Sequence, residues 1–275
     1  MAARLKVKFW GVRGSTPTPV AANLGYGGNT SCFEICSNSG QRIVIDAGTG
    51  AFSLGRRLMQ EAGPDGVQVD LFLTHFHWDH IQGLPFFAPL LQTGNRVNFH
   101  AGTSPQETRR RLQCQMTNPF FTLDFESLRG QREFRQIKNE TVHCGDIDIT
   151  SFALHHPQGA CGYRVQCNGA SIVVATDVEH GNAKLDAVLL EQCADADLLI
   201  YDAQYTPAEY AVKQGWGHST YEAAARIARE ARVEKLILHH HDPTHDDQAI
   251  DEIVQQARGL FDNVAAAQEQ CTIAL

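Results

Sequence analysis

Short apolar runs bounded by turn residues recur along the chain, at Leu5–Trp10, Cys32–Ile35, Ile43–Ile45, Val69–Leu73, Ile147–Phe152, Ser171–Ala175, Leu198–Tyr201 and Leu236–Leu238. Their length and β-branched content predict strands. Helical patterns lie between some of them, at Phe52–Glu61, Pro105–Cys114, Leu185–Gln192, Thr220–Ala231 and Gln248–Leu260. Hairpin-like turns are expected at Tyr26–Asn29 and Asn38–Gly40, and Ser219 with Glu222 reads as a capping box starting the helix after Gly217. The first third is nearly all strand, and strand alternates with helix in the last third. Such a chain suits two sheets packed face to face with helices on the outer faces, a four-layer αββα sandwich. No Pro/Gly/Ser-rich linker divides it, so residues 1–275 read as one domain.

At 275 residues the chain is long enough to bury a substantial core without staples. Its 43% hydrophobic and 20% charged content argues against disorder. The net charge of −8 argues against broad nucleic-acid binding through a basic surface. A small anionic substrate stays open, because bound metal ions supply local positive charge. The N-terminus has a charge inside every candidate apolar run, and no stretch approaches the ~20 apolar residues of a membrane span. A cytoplasmic location is expected. The eight cysteines contain no C-x-x-C pair and suggest no disulfide framework; Cys32 and Cys36 read as buried free thiols.

The chemistry concentrates in Leu71-Phe-Leu-Thr-His75-Phe-His77-Trp-Asp79-His80, where an apolar strand ends and four potential metal ligands fall within six residues. Imidazole and carboxylate are donors that zinc accepts, and a loop at a strand end can turn them all inward. A merely solvated loop has no use for the interleaved Phe76, Trp78 and Ile81. Further donors follow three later apolar runs, in His155-His156-Pro157, Ala175-Thr176-Asp177 and Leu238-His239-His240-His241-Asp242. Their common place after a strand predicts one shared edge of the sheets.

His75-x-His77-x-Asp79-His80 resembles the signature of the metallo-β-lactamase superfamily. The phosphodiesterase branch that contains ribonuclease Z is similar along most of the chain. Gly11-Val-Arg-Gly14-Ser15-Thr-Pro17 resembles its first strand and glycine turn, and Asp46-Ala-Gly48-Thr-Gly50 its second acidic–glycine turn. Gly162-Tyr163-Arg164 matches its G-Y-R, and Gly217-His218-Ser219-Thr220 its G-H-S-T. The resemblance implies a hydrolase with two divalent metal ions, zinc or manganese. His75, His77 and His156 would hold one and Asp79, His80 and His240 the other, with Asp177 bridging. Spacing to Gly162-Tyr163 selects His156 over His155, while His239, His240 and His241 leave a one-residue ambiguity. A metal-bridging hydroxide would attack a phosphodiester in line, oriented by Asp79. His218 is the expected proton donor to the leaving oxygen, with Asp202 as its acidic partner where ribonuclease Z has glutamate. Ser219 and Thr220, at a helix N-terminus, are the expected substrate-binding pair.

Ribonuclease Z carries a long arm that grips transfer RNA, inserted between G-Y-R and the bridging aspartate. Here only Gln166 to Ala175 lie there, enough for one hairpin turn. Without the arm, and at net charge −8, a small phosphodiester of the cyclic-nucleotide kind fits better than structured RNA. The layout is similar to that of compact anti-Pycsar phosphodiesterases, which also implies a homodimer. The alternatives are a ribonuclease Z-like endoribonuclease processing transfer-RNA 3′ ends, and a thioester or lactone hydrolase on the same site. Di-iron redox relatives carry glutamate at the position of His77. The aromatic segment Met116–Phe125, preceded by the basic run Arg109–Arg111, reads as a substrate lid, a dimer contact or a loop folded into its own core.

Overall fold

The computed structural model describes residues 4–275; the first three residues of the charged N-terminal stretch lie outside the described residues. Among the described residues, six strands of the first half are β1 (Leu5–Gly11), β2 (Cys32–Ser37), β3 (Arg42–Ile45), β4 (Gln68–Leu73), β5 (Arg96–Ala101) and β6 (Gln131–Gln136). Eight follow: β7 (Thr141–Cys144), β8 (Ile147–Leu154), β9 (Ala160–Cys167), β10 (Ala170–Ala175), β11 (Leu198–Asp202), β12 (Lys235–His239), β13 (Val264–Ala266) and β14 (Thr272–Ala274). One sheet is ordered β14-β1-β2-β3-β4-β5-β6 and the other β13-β12-β11-β10-β9-β8-β7. In each, an antiparallel half passes into a parallel half, β3 to β6 in the first and β10 to β13 in the second.

The side-chain pattern explains the layering. Between the sheets lie Phe9, Phe33, Phe72, Tyr163, Ile172, Val174 and Ile200, contributed by both. The opposite face of the first sheet carries Val69, Leu71 and Phe99 and is covered by Leu54 and Leu58 of α1 (Ala51–Glu61). The outer face of the second carries Val173, Leu199 and Leu236. It is covered by Leu189, Ile227 and Ile250 of the helices Ala183–Cys193, Tyr221–Glu230 and Asp247–Arg258. The result is the expected αββα sandwich. No helix among the described residues is long and apolar enough to cross a membrane.

Of the two expected turns and the expected helix cap, one turn holds and the other two change. The Asn38–Gly40 turn does join β2 to β3 as a hairpin, with Gly40 N donating to Ser37 O at 3.2 Å. Tyr26–Asn29 instead belongs to a long connection pinned from inside by the fully buried Arg13, whose Nε donates to Gly27 O at 2.7 Å. The helix at Tyr221 is capped one residue later than the Ser219–Glu222 spacing suggests: Thr220 Oγ1 accepts from Ala223 N at 3.2 Å. Ser219 is engaged elsewhere, its hydroxyl 2.7 Å from His180 Nδ1. Among the cysteines Cys32 is buried and Cys36 is half-buried, and all eight are free thiols.

Candidate metal centre

Every predicted donor sits just beyond a strand end, at one end of the sandwich. The four-ligand loop leaves β4 and runs into the short helix α2 (Trp78–Ile81), which carries Asp79 and His80. His156 follows β8, Asp177 follows β10 and His240 follows β12. Asp177 and His240 hold left-handed backbone, with φ of 58° and 65°. Such conformations cost of order 1–3 kcal/mol for residues with side chains and persist where the surroundings over-determine them.

Two donor groups result, and they share a border. His75, His77 and His156 form one; Asp79, His80, Asp177 and His240 form the other, with the ligand atoms of each group within 4.8 Å of one another. The Asp177 carboxylate stands between them. Its Oδ1 lies 3.7 Å from His75 Nε2 and 3.8 Å from His156 Nε2. Its Oδ2 lies 3.0 Å from His80 Nε2 and 3.4 Å from His240 Nε2. Asp79 Oδ2 is 3.2 Å from His80 Nε2 and 3.1 Å from His240 Nε2, and it accepts from Ser15 N at 2.8 Å.

Each imidazole is held by the nitrogen that faces away from the cluster. His75 Nδ1 meets Thr74 Oγ1 at 3.0 Å, and His77 Nε2 meets Gln158 Oε1 at 2.7 Å. His80 Nδ1 lies 2.7 Å from Asp46 Oδ2, His156 Nδ1 lies 2.7 Å from Gly217 O, and His240 Nδ1 lies 2.7 Å from Gln204 Oε1. Donation outward leaves a bare lone pair pointing inward, which is the tautomer a metal-binding histidine needs. Inside the cluster those lone pairs face one another, at 3.1 Å for His77 Nδ1 and His156 Nε2 and 3.2 Å for His80 Nε2 and His240 Nε2. His75 Nε2 is buried with no hydrogen-bond partner at all. Converging lone pairs, an orphaned ring nitrogen and two carboxylates fit divalent cations of the zinc class.

The electrostatics show a cluster that attracts positive charge. Burial works against the charge on Asp177 and Asp79, yet the surrounding imidazoles hold both carboxyls well below the usual range. Burial likewise opposes a proton on His80, but Asp177, Asp79 and Asp46 raise it well above the usual histidine value. His75, desolvated and beside His80, is pushed well down.

His218 and Asp202 border the shared carboxylate. Asp202, the last residue of β11, reaches His218 Nδ1 through Oδ2 at 2.8 Å, so the shorter side chain closes the pair. Burial opposes the proton on His218, but Asp202, with help from Asp177 and Asp79, raises it to about 9. Asp177, Asp202, His218 and His240 also form a donor group of their own. Ser219 and Thr220 turn inward: the Ser219 amide donates to Asp202 Oδ1 at 3.2 Å and the Thr220 hydroxyl caps its helix. They brace the His218 loop instead of presenting free groups to an anion.

Two motif glycines have a direct physical reason here. A Cβ on Gly14 would meet the His240 ring, and one on Gly217, at φ +91°, would meet His156 and Pro157. The holding partners Thr74, Asp46, Gln158 and Gln204 were not singled out from the sequence as site residues; only Asp46 stands in a motif that resembled the family. His155 and His239 turn away: His155 Nδ1 lies 3.1 Å from Glu179 O, and His239 packs against Phe33 with ring centroids 4.5 Å apart. His241 Nε2 bonds Ala267 O at 2.9 Å, so His240 alone of the three faces the cluster. Trp78 is exposed, whereas Phe76 lies half-buried with the Arg111 guanidinium 4.9 Å from its ring centroid. The basic run is largely neutralised, Arg109 by Glu126 and Arg110 and Arg111 by Glu107.

Residues 41–241 match the family model described as a beta-lactamase superfamily domain, a span that contains both donor groups. The chain belongs to that superfamily. It is 23% identical, over an alignment spanning 304 positions, to ribonuclease Z of Thermoplasma acidophilum, covering 95% of this chain and 93% of that one. Among solved structures, the metallo-β-lactamase fold protein YhfI from Bacillus subtilis superposes with a TM-score of 0.73 at 19% identity, covering 98% of each chain. A diphosphatase from the PhnP family gives 0.71 at 18% identity, covering 99% of this chain and 98% of the other. These likenesses establish the metallo-β-lactamase fold for this superfamily member.

Proposed function

We propose that the chain is a binuclear metal-dependent phosphodiesterase acting on a small phosphodiester of the cyclic-nucleotide class. The observation that carries this reading is the pair of donor groups that face Asp177 from either side, with a histidine–aspartate pair set beside that carboxylate. His75, His77 and His156 would hold one cation and Asp79, His80 and His240 the other, each zinc or manganese. When bound, two such cations lower the pKa of water and neutralise charge on a phosphoryl group. Asp79, fixed by the Ser15 amide, orients the attacking water. His218, anchored through Nδ1 on Asp202, keeps Nε2 for proton donation to the leaving alkoxide.

The choice of a small substrate rests on the connection between β9 and β10. It is a tight turn at Asn168–Gly169, both in left-handed backbone, where an RNA-gripping arm would have to emerge. The relatives named ribonuclease Z favour a second reading, RNA 3′ processing on the same site. A panel of cyclic mononucleotides, cyclic dinucleotides, bis-p-nitrophenyl phosphate and precursor transfer RNA, given to metal-replete protein, separates the two. Turnover of the cyclic nucleotides is expected; cleavage of precursor RNA alone would overturn the small-substrate reading.

A homodimer remains part of the proposal. Segment 116–125 anchors its ends in the core through Met116 and Phe125 and exposes Phe120 and Leu123, with Phe121 against Phe86 at 5.7 Å. Light scattering is expected to give twice the 30.3 kDa chain mass.

A further inference from the structure

A cleft of about 380 Å³ opens between the two sheets and uses none of the residues assigned above. Asp70 of β4 and Asn98 and His100 of β5 line it from one sheet, and Cys144 of β7 from the other. Ligand atoms of Asp70, His100 and Cys144 lie within 4.8 Å of one another. His100 is 6% exposed and stacks on Phe72 with centroids 4.3 Å apart, which fixes the plane of its ring. Its Nε2 lies 3.1 Å from Asp70 Oδ1, which also accepts from Asn98 Nδ2 at 3.0 Å. Its other ring nitrogen, Nδ1, is buried without a hydrogen-bond partner, and so is Asn98 Oδ1. Buried polar atoms of this kind are uncommon in folded proteins and call for a ligand or water.

We propose that this cleft is a separate metal site, taking a divalent cation of the zinc class between Asp70, His100 and Cys144, with water from the cleft completing the coordination. Carboxylate, imidazole and thiolate are a donor set that zinc accepts, and three protein ligands leave one position open. On binding, the cation replaces the thiol proton, which passes to solvent; the thiolate and the Asp70 carboxylate then balance its two charges. Arg135 lines the same cleft, as does Glu133, which is paired with Arg96 at 2.9 Å. The thiol is not an unaided nucleophile, since burial and the Asp70 charge push it up to about 12. Because the ligands come from both sheets, the ion ties β4 and β5 of the first to the edge strand β7 of the second.

Cobalt(II) titration of the full-length, chelator-stripped chain tests the proposal, because the principal centre contains no sulfur donor. A thiolate-to-cobalt charge-transfer band in the near ultraviolet is expected to reach the amplitude of one thiolate-bound cobalt per chain, whether the principal centre fills before it or after. It should persist in Asp177→Ala and in Cys161→Ser, and vanish in Cys144→Ser. Asp70→Asn should weaken the cobalt affinity read from this band by at least ~10-fold. Should Cys144→Ser fail to fold, His100→Asn must abolish the band in its place. No band in the parent at micromolar cobalt, or a band that survives loss of Cys144 or of His100, overturns the site. Since the band is read independently of hydrolysis, failure of the phosphodiesterase reading leaves this result standing.

Discussion

Replacing His218 tests whether the centre performs acid catalysis or only binds metal. Asp202 is fully buried; besides His218 it accepts from the backbone amides of Gln204 (3.1 Å) and Ser219 (3.2 Å). His218→Ala therefore removes the acid and also strands a buried carboxylate, which costs up to ~3–5 kcal/mol of stability. His218→Gln keeps a donor for Asp202 and isolates the chemical effect. On a substrate with an alkoxide leaving group, the rate of His218→Gln should fall by roughly 10²–10⁴. Bis-p-nitrophenyl phosphate leaves as a stable phenolate and should lose less than about 10-fold. The pH profile carries the same information. The rise from 6.5 to about 9 corresponds to roughly 3 kcal/mol of preference for the protonated ring. Bound cations oppose that preference, so in loaded enzyme the alkaline limb lies below 9. The acid must be protonated to act, so the alkoxide rate falls as pH rises through that limb. Asp202→Asn should move the limb downward, toward the ordinary histidine value. Equal losses on both substrates would refute acid catalysis and indicate phosphate binding. Loss of metal from His218→Gln would make His218 a ligand within the Asp177–Asp202–His240 group.

Three further outcomes are expected. Asp177→Ala should lose metal and activity together, because both donor groups face this carboxylate; elemental analysis showing parental metal content would remove it from the bridge. Gly217→Ala forces a side chain at φ +91° against His156 and Pro157, so it should cost roughly 1–3 kcal/mol and weaken metal binding; an unchanged thermal melt would contradict this. Burial holds the His241 imidazole neutral, pushing it down to about 3 even though its bond to Ala267 O favours the proton. Its contribution to stability is therefore present above the unfolded value near 6.5 and is lost as pH falls from there toward 3. Between pH 6.5 and 4.5, in chelator, the parent should lose roughly 2–3 kcal/mol more stability than His241→Gln; parallel losses would show that His241 is not the titrating group.

The eight strand-like runs all fall within observed strands: β10 is buried at every residue, whereas Leu5–Trp10 and Ile147–Phe152 set buried apolar residues against Lys6, Lys8, Asp148 and Thr150. The strands without a sequence signal differ in kind. In β5, Val97, Phe99 and Ala101 face the helices while Asn98 and His100 line a polar cleft, so the apolar run is broken at every second position. β6 reads Gln131-Arg-Glu-Phe-Arg-Gln136 at the edge of its sheet, and β13 and β14 are three-residue edges. Short or polar edges form by pairing with a neighbour already in place, a tertiary effect that local pattern does not carry.

The proposed metal ligands were legible for the opposite reason. They are chemically unusual residues clustered at strand ends, and four of them are nearly contiguous. What holds them is not: Gln158 is 81 positions from the His77 it orients, and Gln204 is 36 from His240. Glutamine is also an ordinary surface residue, so nothing in its type marks it. The three consecutive histidines show where local reasoning stops. Strand alternation buries His239 against Phe33 between the sheets, and the residue after a strand end is free to leave that alternation. His240 does so through its left-handed backbone, and the bond from its outward nitrogen to Gln204 then aims the other into the cluster. His241, past the turn, is drawn off to Ala267. Which of the three joins the donor group is thus decided by one backbone dihedral and one distant amide, neither of which has a sequence signature.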